Sequence, residues 1–248
     1  MFSNKRVNTL LMLFAVFMSA CTTVIPPPRL TPIEQMTVDT TQAHGLLQEF
    51  ENQVNFEKLP NVEQYLIAVA RQISREDANL NGTKIIVKIH QDSTPELQRV
   101  FSFPGVVISI PASFLKTVGF ENELAAMIAL ELAQIERREL AHEMEKNEHP
   151  ILFGPLSIFN FPQKNRGDSI ELGTRLMYSA GYDPRGMVAL FQKYSSFYVA
   201  GDSPTIQKEV NFYVRSAQKA KNDSMPSLQP IVRSNDFLRM KKGLKTQS

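Results

Sequence analysis

The sequence predicts a single α+β domain in which helices predominate and a small β-sheet is added. The chain has 248 residues, which is enough for one medium-sized hydrophobic core. Residues 121–146 contain no Gly or Pro and are rich in Ala, Leu, Glu and Met, residues that favour helix. Lys84–His90 and Val106–Ile110 are rich in β-branched residues, which indicates two strands.

Further helices are predicted on both sides of the two strands. Asn61 is a candidate N-cap for a helix that ends at Ser74, because apolar residues recur at helical spacing after it. The remaining predicted helices span residues 42–56, 169–179, 184–197, 204–219 and 236–244. The folded domain is assigned to residues 33–220, and residues 221–248 are assigned to a polar linker and a basic C-terminal helix.

The N-terminus has the pattern of a bacterial lipoprotein signal. In residues 1–20, Lys5 and Arg6 precede an apolar stretch that is too short for a transmembrane helix. Met-Ser-Ala then precedes Cys21, the only cysteine of the chain, as in the lipobox of bacterial lipoproteins. We therefore expect residues 1–20 to be a signal peptide and Cys21 to be lipidated.

The segment after Cys21 predicts a tether and a location. Residues 21–32 contain four prolines, which favour an extended, stiff chain. Thr22 follows the cysteine in place of aspartate, and this favours the outer membrane, facing the periplasm. The predicted membrane contact is the lipid anchor. No nucleic-acid partner is expected, because Lys5 and Arg6 account for the whole formal charge of +2.

Three segments in order resemble the zinc metallopeptidases that include the HtpX, BepA and CAAX prenyl protease types, family forty-eight of the metallopeptidases. They are Phe101–Gly105 (FSFPG), Asn122–Gln134 (NELAAMIALELAQ) and Gly181–Met187 (GYDPRGM). The resemblance covers roughly residues 60–220. It implies a zincin-like fold in which a small sheet packs on the active-site helix.

The resemblance also places the active site. The family motif H-E-x-x-H puts two zinc-binding imidazoles on one helix face, with the glutamate as general base. Here Leu130 and Gln134 replace both histidines, and Glu131 keeps the general-base position. Leucine has no donor atom and an amide oxygen is a poor zinc ligand, so we expect no metal, no cofactor and no peptidase activity.

Two more positions of the family pattern are altered. The third zinc ligand of the family aligns with Asp168, and its aspartate companion aligns with Ile170. A histidine and an arginine that assist the family's reaction align with Ser203 and, approximately, Glu209.

The histidines of this chain offer no replacement for the lost ligands. His142 lies two to three turns beyond Gln134 in the predicted helix, too far to complete the site. His44, His90 and His149 are expected in surface or capping positions.

Glu131 has two interpretations. It is either a polar group retained in a peptide-binding groove or a core glutamate paired with Gln134, Arg166 or Arg175. The groove would be lined by Phe103, Val106, Val107 and Ile108, beside the strand at Val106–Ile110, whose exposed edge would accept an extended segment.

The resulting hypothesis is an envelope lipoprotein that has lost hydrolysis and binds or regulates unfolded or extended envelope polypeptides. One alternative is an active endopeptidase of envelope quality control that uses Glu131, Gln134 and Asp168 around an unusual metal, the only interpretation in which zinc is a cofactor. Another is a structural lipoprotein whose cleft is packed shut by Leu130 and Leu132.

Overall fold

The computed structural model describes residues 30–94, 97–146, 163–197, 204–223 and 229–245. The chain from Pro32 to Ser248 forms one compact unit. Its elements are α1 (Pro32–Gln53), β1 (Phe56–Glu57), α2 (Pro60–Ser74), β2 (Ile86–His90), β3 (Phe101–Phe103), β4 (Val107–Pro111), α3 (Ala112–Thr117), α4 (Glu121–Glu136), α5 (Glu139–Lys146), α6 (Gln163–Ser179), α7 (Arg185–Lys193), a short 3-10 turn (Ser195–Phe197), α8 (Pro204–Asp223) and α9 (Asn235–Lys245). The expectation of a mainly helical α+β protein with a small sheet is confirmed.

The sheet has four strands in the order β1, β2, β4, β3. The parallel pair joins β2 to β4, with Ile86 opposite Val107 and His90 opposite Pro111. The two outer strands, β1 and β3, pair antiparallel to their neighbours. The expectation of an exposed edge at Val106–Ile110 is therefore wrong, because β4 is paired on both sides and β3 is the end strand.

Helix α4 passes through the centre of the main core. Every residue from Glu121 to Gln134 is buried, and the helix packs against α2, α6, α7 and β3. Close approach of α6 depends on Gly173, since a Cβ there would lie 3.0 Å from the Ala129 carbonyl oxygen. The helix that carries the metallopeptidase-like motif is thus held on all sides.

The predicted helix from Glu121 to Lys146 is interrupted. It ends at Glu136, and Arg138 has a left-handed backbone with φ of 55°. The Arg138 guanidinium donates to both carboxylate oxygens of buried Asp39 on α1, at 2.6 and 2.9 Å. This ion pair fixes the break, because it holds Arg138 against a different helix.

Two other sequence-based predictions are wrong, namely the N-cap of α2 and the surface or capping position of His90. Leu59, not Asn61, is the N-cap of α2, and Pro60 fills the first helical position, where a missing N–H costs nothing. His90 is fully buried, with its ring nitrogens 2.8 Å from the Ser109 hydroxyl and the Leu97 carbonyl. It is a core residue because both ring nitrogens find partners there.

The segment that precedes α9 lies close to the start of α4. The Glu121 carboxylate accepts hydrogen bonds from the Tyr65 hydroxyl, at 2.8 Å, and from the Ser234 backbone N–H. Helix α9 follows and buries Phe237 in the same core as α2. Residues beyond 220 thus contribute to the compact unit. Among the described helices, none is long and apolar enough to cross a bilayer.

Candidate functional site

A cavity lies where the metallopeptidase resemblance places the active site. It is bounded by β3, α4, α6, α7 and α8. The empty space in it is about 560 Å³, including open solvent, and about 40 Å³ of this is open to the centre of a water molecule. A few water molecules therefore fit, whereas an extended peptide does not. The lining residues are Arg99, Val100, Phe101, Ser102, Leu130, Glu131, Gln134, Arg166, Ile170, Phe191, Phe197 and Tyr213.

Glu131 is the buried carboxyl of this cavity. Its side chain projects from α4 and is 2% exposed. Burial raises the pKa of Glu131 to about 8, and the Glu139 carboxyl raises it as well. A hydrogen bond with the Ser102 side chain and the positive charge of Arg166 act in the opposite direction. At neutral pH the group is mostly a neutral carboxylic acid, and a neutral acid is a poor general base.

The two positions that the resemblance aligns with the family's histidines face the same cavity. Leu130 and Gln134 line it together with Glu131, as the spacing of the motif predicts. Leu132 points elsewhere and is part of the main core. The cavity wall is therefore hydrocarbon and amide where two imidazoles would be needed to bind zinc.

Asp168 does not join Glu131. Its carboxylate accepts a hydrogen bond from the Arg137 guanidinium at 2.8 Å, and its side chain is 49% exposed. Ile170, two residues later, lines the cavity and is fully buried. Helix α6 thus directs an apolar residue inward and the carboxylate outward.

The wall contributed by α6 and α8 carries an ion pair. Arg166 donates to Glu209, at 2.8 Å, and to the Tyr213 hydroxyl, at 2.5 Å. The Tyr213 hydroxyl also donates to Glu209. The sequence suggested Arg166 as a partner of Glu131; its guanidinium pairs with Glu209, and its positive charge lowers the pKa of Glu131. Arg175 is exposed and takes no part in the cavity.

Glu139 is a second buried carboxyl that the sequence analysis did not identify. It lies just after the helix break, is 2% exposed, and accepts a hydrogen bond from Ser169 through one oxygen. Its other oxygen has no hydrogen-bond partner among the described residues. Burial raises the pKa of Glu139, as it does for Glu131. The break at Arg138 turns this side chain inward, and no local pattern predicts that break.

The residues proposed to line a peptide groove are buried. Val106, Val107 and Ile108 are at most 4% exposed and contribute to the two hydrophobic clusters. Phe103 is fully buried and borders a second, smaller cavity beside Gln134 and Glu139. In this conformation a bound peptide could not contact Val106–Ile108.

The outer edge of the sheet is at Ser102. The Ile86 N–H donates to the Val106 carbonyl, so alternate residues of β4 bond to β2, and Val107 and Ser109 face β3. Their partners Phe103 and Phe101 direct their backbone groups toward β4. The N–H and C=O of Ser102 therefore point away from β4, at the outer edge of the sheet.

The residues present do not fit zinc. No group of three or more His, Cys, Asp or Glu side chains within the described ranges is placed to hold a metal ion. His142 is half-buried and contacts Arg138 at 3.3 Å, and His44 is exposed. His149, Ser203 and Cys21 lie outside the described residues.

Comparison with known proteins does not assign the chain to a family. No protein-family model matches it, and no curated protein matches it.

Proposed function

We propose that this chain is a lipid-anchored protein of the bacterial cell envelope whose metallopeptidase-like domain does not hydrolyse peptides. In this proposal the domain binds or regulates unfolded or extended envelope polypeptides. The residues that line the cavity are the observation that supports the proposed absence of hydrolysis. Glu131 is buried there beside Leu130 and Gln134, and Asp168 is turned outward. These residues offer neither a set of zinc ligands nor an ionised base that would activate water.

Binding is assigned to the edge of β3. An edge strand can pair with an extended segment through backbone hydrogen bonds. Ser102 presents its N–H and C=O at this edge, and the resemblance places the substrate cleft on the same side. Because the cavity takes only a few water molecules, the walls formed by α6 and α8 must move apart before a strand is accepted.

Two variants of Ser102 test this assignment. Ser102→Ala removes the hydroxyl but keeps the backbone N–H, whereas Ser102→Pro also removes the outward N–H and is compatible with an edge strand. Hydrogen exchange is measured with and without an unfolded outer-membrane protein as the probe. We expect new protection within residues 101–135 in the parent and in Ser102→Ala, and none in Ser102→Pro.

A structural lipoprotein with a closed cleft is the second candidate. The small space inside the cavity favours it, because the closed form has no room for a peptide. Absence of new protection in the parent chain, with the unfolded probe in excess, would contradict the binding proposal and support this candidate.

A further inference from the structure

Helix α9 is fixed to the domain by one face. Phe237, Met240 and Leu244 are buried, and the Ser234 hydroxyl accepts the Phe237 N–H at 3.1 Å at the helix start. The Lys241 ammonium donates to the carbonyls of residues 115, 116 and 118, each at 2.8 Å, at the end of α3. The opposite face of α9 is therefore held in a defined orientation toward solvent.

That outer face is cationic. Leu238, Arg239, Lys242 and Lys245 are all exposed, and their spacing of three to four residues places them on one side of the helix. Residues 233–245 contain five basic residues and a single acid, Asp236, which accepts a hydrogen bond from Arg239. Leu238 is 48% exposed, so an apolar side chain is presented among these charges.

Phe120 extends the same surface. Its ring is 38% exposed and has the Arg233 guanidinium 4.5 Å and the Lys193 ammonium 5.3 Å from its centroid. Arg233 immediately precedes the Ser234 cap, and Leu238 lies in the first turn. Residues at these two positions of a helix start often pack together, as in the hydrophobic staple. This geometry is expected to bring the aromatic ring, the leucine and the cations onto one surface.

We propose that this surface, which we call the α9 surface (Phe120, Arg233, Leu238, Arg239, Lys242 and Lys245), docks on an anionic lipid bilayer. Lys and Arg side chains are attracted to the negative surface of such a bilayer, and exposed Leu and Phe side chains can enter the interfacial layer. A convex helix face with separated apolar side chains suits a lipid surface better than a protein pocket does.

The inference rests on the proposed lipid anchor. Residues 22–31 would join Cys21 to the domain, and ten residues span at most about 35 Å when fully extended. The tether alone would allow many orientations of the domain near the bilayer. The α9 surface would select one of these orientations.

A single fluorescent label tests the proposal. The acylated protein carrying Leu238→Cys is labelled at the new thiol, since Cys21 is blocked by lipid, and is reconstituted in vesicles of phosphatidylcholine with or without phosphatidylglycerol. We expect brominated lipids to quench the label several-fold more with phosphatidylglycerol, and high salt to abolish the difference. A label at exposed Glu171→Cys serves as the matched control. Equal quenching at Leu238→Cys in both lipids would overturn the proposal.

Charge-reversal variants distinguish binding through the α9 surface from a nonspecific attraction of the whole domain to anionic lipid. The triple variant Arg239→Glu, Lys242→Glu, Lys245→Glu is expected to lose the lipid-dependent quenching. A matched triple on α8, Lys208→Glu, Arg215→Glu, Lys219→Glu, removes the same charge and is expected to keep it. Equal loss in both variants would overturn the proposal, as would a response to polyglutamate in place of phosphatidylglycerol.

The mass of the purified chain reports acylation independently. If Cys21 carries no acyl chain, the lipid anchor of the proposed function fails. Binding of that unacylated chain and of the same two triple variants to anionic vesicles still tests whether the α9 surface contacts anionic lipid.

Discussion

Replacement of Glu131 by glutamine removes the buried ionisable group and leaves its shape nearly unchanged. Glu131 has a folded pKa of about 8 against an ordinary value of 4.5, mainly because it is removed from water. Between these values the folded state keeps a proton that the unfolded state releases. The stability associated with Glu131 is therefore fully present below pH 4.5 and is lost as the pH rises to about 8.

The size of the effect follows from this pH range. Each pH unit within it costs about 1.4 kcal/mol, so the parent loses about 3 kcal/mol between pH 5 and pH 7 through this group. Glu131→Gln does not ionise and escapes this loss. Relative to the parent, the variant is expected to gain about 3 kcal/mol more at pH 7 than at pH 5. For a chain of this size, that corresponds to about 6–12 °C in Tm.

Thermal and urea unfolding at a series of pH values measure the difference. Glu171→Gln, at an exposed position of α6, is the control for the removal of one carboxylate. The neighbouring Glu139 carboxyl contributes in the same direction, since burial raises its pKa too. A stability difference between Glu131→Gln and the parent that is the same at pH 5 and pH 8 would refute the assignment of Glu131 as a buried, protonated acid.

The packing of α7 on α4 and the attachment of α9 give two further predictions for unfolding experiments. Gly186→Ala would place a Cβ 2.2 Å from the Asn122 carbonyl oxygen and is expected to destabilise the fold by about 3 kcal/mol. Gly243→Ala is the control: a Cβ there would have no atom within 4 Å, and the better helix former should stabilise the fold by about 1 kcal/mol. Lys241→Met loses three hydrogen bonds to carbonyls and is expected to cost about 2 kcal/mol, against almost nothing for exposed Lys245→Met. Equal effects within either pair would contradict the packing described.

Helical periodicity predicted most helices because each buries a regular apolar face. It could not predict the break at Arg138, since the local sequence contains no Gly or Pro and the turn is fixed by Asp39, which is 99 residues away. The strands β1 and β3 were missed because two and three residues carry too little local signal. The edge of the sheet was misassigned for the same reason, since strand order depends on pairing between distant segments.

The candidate site was partly predictable. The spacing of Leu130, Glu131 and Gln134 placed all three on one helix face, and the cavity contains them. The direction of Asp168 was not predictable, because it depends on the distant Arg137 and on the rotation of α6 about its axis. Glu139 was missed because a glutamate in a polar stretch resembles a surface residue until the break turns it inward.

Loss of hydrolysis is tested most directly by metal analysis of the purified protein together with a casein cleavage assay. The account predicts no stoichiometric zinc and no cleavage in the parent chain, and no change in Glu131→Gln or Asp168→Ala. One zinc ion per chain, with casein cleavage that disappears in both variants, would contradict it.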